Sequence, residues 1–216
     1  MPGASGACNG WKRIAALSIS LVGLLASTAS SVAQPLPTVT VERDGDTFFV
    51  RGRATVAVDP RVAWDTITDY EHMRDFLPNI ERSNVIARNG SRMTVEHVGS
   101  FPLFFFDVPV RVRLRVVQQP FERIVARSEP GEVDGAPQTL RSFMGSYDLT
   151  VISIERRAGV RLEYESQFEL ADPLPPIVGD LFGTAMVTKT VRLQFEAMVR
   201  EMERRQAGRA PIEKSQ

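Results

Sequence analysis

The sequence has 216 residues, of which 43% are hydrophobic and 24% are charged, which is typical of a soluble globular protein with one ordinary domain. Lys plus Arg and Asp plus Glu number 26 each, so the balanced charge provides no strong electrostatic field for nucleic acid or anionic lipid. We therefore predict no nucleic-acid partner. With one cysteine and two histidines the chain also lacks the ligands of a Cys/His metal site, and we predict no metal.

The first 33 residues have the composition of an export signal. Lys12 and Arg13 precede an uncharged apolar run, Ile14–Leu25, and the small residues that follow end in Ser31-Val32-Ala33. This order predicts a signal peptide over residues 1–33, cut after Ala33, and an exported protein in the periplasm or outside the cell. The alternative is an uncleaved anchor, because the uncharged segment is about long enough to span a bilayer. Cleavage removes the sole cysteine, so the mature chain forms no disulfide.

The mature chain divides into three parts. Residues 34–46 form a linker and an N-terminal strand, residues 47–206 form the ligand-binding domain, and residues 207–216 form a flexible tail. Asp59-Pro60 begins the first of two short helices, because Asp caps a helix and Pro suits its first position. Asp69 caps the second short helix, and Pro78 ends it.

A run of strands follows the short helices. Asn89-Gly90 is a strong hairpin signal, and residues 108–119 alternate between apolar residues and arginines, as in a strand buried on one face. Residues 129–138 are a loop, and the turn Arg156–Gly159 leads into Val160–Leu170, which alternates in the same way.

A long C-terminal helix is predicted from Ile177 to about Arg205, a stretch without Pro. Small residues in its first turns, among them Thr184 and Thr188, leave either a cavity or room for close packing. The predicted inner face comprises Ile177, Leu181, Thr184, Thr188, Val191, Phe195, Met198 and Met202. The fold class is therefore α+β, with a curved antiparallel sheet of about seven strands wrapped around this helix and two short helices after the first strand.

The most specific pattern runs from Val58-Asp-Pro-Arg-Val-Ala-Trp64 through Asp69-Tyr-Glu-His-Met-Arg-Asp-Phe-Leu-Pro78. With the order of elements, it resembles the START-like helix-grip (SRPBCC) superfamily, and most closely its polyketide cyclase/dehydrase and coenzyme Q-binding branch. The resemblance implies a cavity between sheet and helix that holds a lipid, a quinone or an aromatic, polyketide-like product. We predict no cofactor. Export is a departure from typical members of this branch, which work inside cells or mitochondria.

Several residues are candidates for contacts with such a ligand. Strand alternation turns His97 inward if Met93 and Val95 face the core, and an inward histidine is a candidate base or hydrogen-bonding group. Arg141, Tyr147 and Asp148 are weaker polar candidates. The predicted ligand-binding set is Tyr70, Phe76, His97, Phe104, Phe106, Tyr164, Phe168, Leu181, Thr184 and Thr188.

The segment Phe101-Pro-Leu-Phe-Phe-Phe106 is unusually aromatic. Consecutive side chains of an extended segment point to opposite faces, so this segment either packs in the core or forms a lip that contacts a ligand or a membrane surface.

These features favour non-catalytic binding or transport of an apolar small molecule. One alternative is a cyclase or dehydratase acting on an aromatic or polyketide-like substrate, with His97 as its only candidate catalytic residue. Another is a membrane-associated lipid-transfer or interaction protein that uses the phenylalanine-rich segment. The sequence contains no Gly-x-Ser-x-Gly elbow and no His-Glu-x-x-His zinc motif, and it leaves the oligomeric state open.

Overall fold

A computed structural model describes residues 36–103, 106–172 and 183–209, apart from the side chains of residues 102, 103 and 106. Eight antiparallel strands form the main sheet, in the spatial order β1-β2-β10-β9-β6-β5-β4-β3. Their bounds are β1 Thr38–Asp44, β2 Thr47–Val56, β3 Ile80–Asn89, β4 Arg92–Leu103, β5 Phe106–Gln119, β6 Arg123–Ser128, β9 Leu140–Ile154 and β10 Arg157–Leu170. A separate two-stranded ribbon, β7 Glu132–Val133 with β8 Ala136–Pro137, lies within the segment predicted to be a loop.

The helices occupy three places along the chain. Helix α1 spans Pro60–Ile67, and a 3-10 turn at Tyr70–His72 leads directly into the short helix α2, Met73–Phe76. The third helix, α3, spans Thr184–Gly208. The α+β helix-grip prediction is confirmed, with eight main strands rather than seven and with two strands before the short helices. Helix α3 also includes the first two residues assigned to the tail.

Alternation along the strands produces one buried and one exposed face. Strand β5 buries Val112, Leu114 and Val116 while its arginines lie on the other face, as predicted. The hairpin predicted at Asn89-Gly90 forms, with its closing pair between Asn89 and Arg92. The turn before β10 is different from the prediction, because it lies at Glu155 and Arg156, both with positive φ, while Gly159 belongs to the strand.

The core lies between the concave face of the sheet and the helices. Helix α3 buries Phe195, Met198 and Met202 in its C-terminal half, which packs on β1, β2 and α1. From Thr184 to Gln194 the helix buries no side chain fully, so its N-terminal half is less tightly covered by the sheet. None of the described helices has the length and apolar composition that crossing a membrane requires.

Candidate ligand-binding cavity

A cavity of about 290 Å³ lies between the concave face of the sheet and the N-terminal half of α3. Its volume is near the lower end of the range for small-molecule sites, roughly 300–1,000 Å³. Strands β4, β5, β6, β9 and β10 form one wall, and the short helices and α3 form the other. Helix α3 buries side chains fully only from Phe195 onward, and the cavity lies mainly beside the preceding turns.

The sheet wall is apolar over most of its area. The side chains that line it come mainly from the inward positions of the central strands: Val110, Val112, Leu114, Val116, Ile124, Ala126, Leu140, Phe143, Phe168 and Leu170. Phe168 is held by stacking on Phe48, with ring centroids 5.2 Å apart. These residues make a surface that favours an apolar ligand through the hydrophobic effect.

The helix wall differs from the sequence-based prediction. Met186, Val187, Thr190, Val191, Gln194 and Met198 line the cavity. Thr184 and Thr188 do not, and the Thr188 hydroxyl donates back to the Thr184 carbonyl at 2.7 Å. The predicted inner face is therefore confirmed at Val191, Phe195, Met198 and Met202, which line the cavity or are buried, but the cavity lining does not include Thr184 and Thr188.

The turn before β3 is anchored at the edge of this wall. The Gln194 side chain donates to the Pro78 carbonyl at 3.2 Å, and the Ser100 backbone N–H donates to the Asn79 carbonyl at 3.1 Å. Gly99 permits this approach, because a Cβ atom there would lie 2.0 Å from the Asn79 oxygen. Leu77, Asn79 and Phe101 consequently line the cavity on this side.

Three tyrosines belong to the cavity lining. Tyr147 and Tyr164 are cross-strand neighbours on β9 and β10, with ring centroids 4.7 Å apart. Burial raises the pKa of both, so both hydroxyls stay protonated. Tyr70 lies opposite them on the short helical segment, and its oxygen accepts a hydrogen bond from Gln118 at 3.2 Å. Tyr70 and Tyr164, both predicted from the sequence, are thus part of one lining.

His97 lies on β4 and faces the cavity, as its alternation with Met93 and Val95 predicts. Burial lowers its pKa to about 4, so the imidazole is neutral at physiological pH. Its Nδ1 atom is buried and has no hydrogen-bond partner in the described part of the chain. Ser83, the cross-strand neighbour of His97, is also buried, and its hydroxyl likewise has no partner there.

Phe76 does not line the cavity. It packs against the core, and the Arg205 guanidinium lies over its ring at 5.4 Å. Arg205 also donates to Asp69 and to the buried Glu201, at 2.7 Å in each case. The prediction that Asp69 caps the short helix is therefore wrong, because its side chain makes no capping hydrogen bond. It joins this helical segment to α3 instead.

The remaining sequence candidates fall into two groups. Arg141 and Asp148 are on the outer face of the sheet, where they pair with Glu169 and Arg123. Phe104, Leu181 and the side chain of Phe106 lie outside the described residues. No group of three or more His, Cys, Asp or Glu side chains in the described ranges could hold a metal ion.

Sequence reasoning missed most of the helix wall and Phe143. Met186 and Val187 are adjacent apolar residues, and both line the cavity. Helical periodicity alone does not predict that two consecutive residues face the same cavity. Phe143 lies four residues before Tyr147 on β9, on the same face, so extending the alternation backward from Tyr147 would have found it.

Several solved structures have a similar fold. An aromatase/cyclase from Streptomyces sp. R1128 has 16% sequence identity and a TM-score of 0.58, covering 76% of this chain and 97% of its own. A STAR-related lipid transfer protein from Xanthomonas axonopodis has 12% identity and a TM-score of 0.54, covering 76% and 98%. A START superfamily protein from Mycobacterium smegmatis has 14% identity and a TM-score of 0.51, covering 74% and 97%.

The comparison of sequences adds the family. No curated protein matches the chain. The family model described as polyketide cyclase / dehydrase and lipid transport matches residues 56–195. This range contains α1, the central strands and most of the α3 residues that line the cavity. The chain belongs to the polyketide cyclase/dehydrase and lipid transport family, within the START-like superfamily.

Proposed function

We propose that the protein binds an apolar small molecule in the cavity between the sheet and α3, and that it holds or transports this molecule without changing it. The observation that supports the proposal is the cavity itself, about 290 Å³ of space with predominantly apolar walls inside an otherwise packed core. A ligand that fills this space gains dispersion contacts with the lining atoms, which favours its binding.

The expected affinity follows from the apolar area that a ligand would bury. A ligand that buries roughly 300 Å² at about 25 cal/mol per Å² gains about 7 kcal/mol before the cost of ordering. Because ordering costs reduce this gain, the apolar contribution limits the affinity to dissociation constants of roughly micromolar or weaker. Such an affinity suits a carrier that must also release its cargo.

Catalysis is the second candidate function, and one observation favours it. His97 and two protonated tyrosines line the same cavity, and a solved structure with a similar fold is an aromatase/cyclase. However, a general base works best with a pKa near the operating pH, and the pKa of His97 is about 4. Binding is therefore the stronger proposal, and unchanged product formation by His97→Ala on a polyketide-like substrate would remove the best candidate base.

The test of binding is native mass spectrometry of the protein produced in its own host, followed by solvent extraction. We expect an adduct that extraction releases as an apolar compound. Ala126→Phe fills the cavity and should abolish the adduct, because Ala126 lines it. Val125→Phe adds the same ring to the opposite face of β6 and should retain the adduct. An adduct that persists in Ala126→Phe, or a wild-type protein that never carries one, would contradict the proposal.

We also propose that the chain is exported and that residues 1–33 are removed. Support comes from the charged, apolar and small-residue order of this segment. N-terminal sequencing of protein from the periplasmic fraction should begin at Gln34. Retention of the segment in the membrane fraction would support an anchor instead.

A further inference from the structure

The charge of the cavity lining restricts which ligands it accepts. None of the described residues that line the cavity is Asp, Glu, Lys or Arg. The ionised head of a fatty acid or a phospholipid would lie there without a counter-charge, and burying an unpaired charge is strongly unfavourable. The lining therefore disfavours anionic lipids, although the apolar walls suit their chains.

The polar groups of the lining are neutral hydrogen-bonding groups. The hydroxyls of Tyr147 and Tyr164 keep their protons, because burial raises the pKa of each. Both are thus able to donate a hydrogen bond to a ligand. An acceptor on the ligand, rather than a charge, is the complementary chemistry.

The tautomer of His97 follows from the surroundings of its ring. Nδ1 is buried with no partner among the described residues, and buried donors without an acceptor are rarer than acceptors without a donor. The proton of the neutral ring is therefore better placed on Nε2, which is not among the buried unpartnered atoms. Because His97 lines the cavity, this N–H becomes a donor available to a bound molecule.

We propose, on the basis of the binding function inferred above, that the cavity selects uncharged apolar molecules that carry a carbonyl or similar acceptor, and that His97 donates from Nε2 to that acceptor. His97 is then the residue that distinguishes a ketone-bearing ligand from a plain hydrocarbon of the same shape. The described lining disfavours anionic lipids for the reason given above.

The test uses three fluorescent probes that share one ring system: dimethylaminonaphthalene, its propionyl ketone and its carboxylate. At about pH 7.5 the carboxylate is ionised. We expect the ketone to bind about tenfold more tightly than the unsubstituted ring, the effect of one hydrogen bond. The carboxylate should bind at least about tenfold more weakly than the unsubstituted ring, because its charge has no partner.

Variants assign the donor. His97→Phe keeps a planar aromatic ring without a hydrogen-bond donor and should reduce ketone affinity to that of the unsubstituted ring. The emission of the bound ketone should also move to shorter wavelength, because its carbonyl loses the hydrogen bond. His97→Gln retains an N–H donor and should restore part of both effects. His72→Phe changes the exposed histidine and should leave binding and emission as in the wild type.

The outcomes separate this inference from the binding proposal. Tight binding of the carboxylate, or unchanged ketone affinity and emission in His97→Phe, would overturn the inference and leave apolar binding intact. Failure of all three probes to bind wild type more tightly than Ala126→Phe would overturn the binding proposal as well.

Discussion

The two faces of the sheet differ in the polar groups that they carry and in how those groups are paired. On the convex face, arginines pair with carboxylates across strands, as in Arg53 with Glu163 at 2.6 Å and Arg113 with Glu96 at 2.7 Å. On the concave face the described cavity lining has no charged side chain, and Nδ1 of His97 has no partner among the described residues. Since buried polar groups are normally paired, this difference is consistent with the proposed binding of a hydrogen-bonding ligand on the concave face.

The largest expected effect comes from placing a charge on the concave face. Val116→Asp puts a carboxylate at a position that is 2% exposed, and we expect it to lower the free energy of unfolding by about 4 kcal/mol or more. The neighbouring Arg115→Val removes a convex ion pair with Glu129 and should cost about 1 kcal/mol or less. Urea unfolding followed by the fluorescence of Trp64 measures both, and similar losses would contradict the difference between the faces.

The next effect concerns the packing of α3 on the sheet. Phe195→Ala should lower the free energy of unfolding by about 3–5 kcal/mol, because Phe195 is 2% exposed and packs near Tyr164. Leu193→Ala alters a side chain of α3 that is 40% exposed and should change stability by about 0.5 kcal/mol. Equal effects in denaturant unfolding would show that α3 is not seated on the sheet through Phe195.

His97 and His72 should contribute opposite pH dependences to the free energy of unfolding. Burial lowers the pKa of His97 to about 4, so between about pH 6.5 and pH 4 the unfolded chain binds a proton that the folded chain does not. The free energy of unfolding should therefore fall by up to about 3 kcal/mol as the pH falls through this window.

Two variants check this assignment. His97→Phe should flatten the fall. The hydrogen bond to Asp69 raises the pKa of the exposed His72, so its contribution is present at low pH and is lost as the pH rises. His72→Phe should therefore steepen the fall. A fall with the wild-type slope in His97→Phe, measured by urea unfolding at several pH values, would contradict a buried neutral His97.

The smallest effect belongs to the convex face. Arg53→Ala removes the ion pair with Glu163, but the Arg53 side chain is 69% exposed, so we expect a loss of about 0.5 kcal/mol or less. High salt should leave the difference from wild type even smaller. A loss above about 2 kcal/mol in thermal or urea unfolding would show that the convex pairs are structural, contrary to the contrast between the faces.

Short-range patterns predicted most of the sheet. Alternation over β5 and β10 identified the inward residues, because a side-chain period of two leaves one choice of face. The turn at Glu155 and Arg156 was missed because neither residue is a usual choice for positive φ. The pairing of β9 with β10 determines where this turn lies, and the local sequence does not predict that position.

Contacts between distant residues were less predictable. Arg205 forms an ion pair with Asp69, which lies 136 residues away in the sequence, and no local sequence pattern predicts this pair. On α3, Thr184 and Thr188 fit an inner stripe by spacing, but the cavity is lined by Met186, Val187 and Thr190 instead. The same predicted stripe was correct at Phe195 and Met202, which are buried, so the spacing identified the packed half of the helix but not the residues beside the cavity.

The most direct test of ligand binding on the concave face is a crystal structure of the protein with the naphthalene ketone. The probe should lie between the sheet and the N-terminal half of α3, with its carbonyl oxygen about 2.7–3.2 Å from Nε2 of His97. A cavity closed by side chains, or a probe bound only on the outer surface, would contradict the proposed binding function.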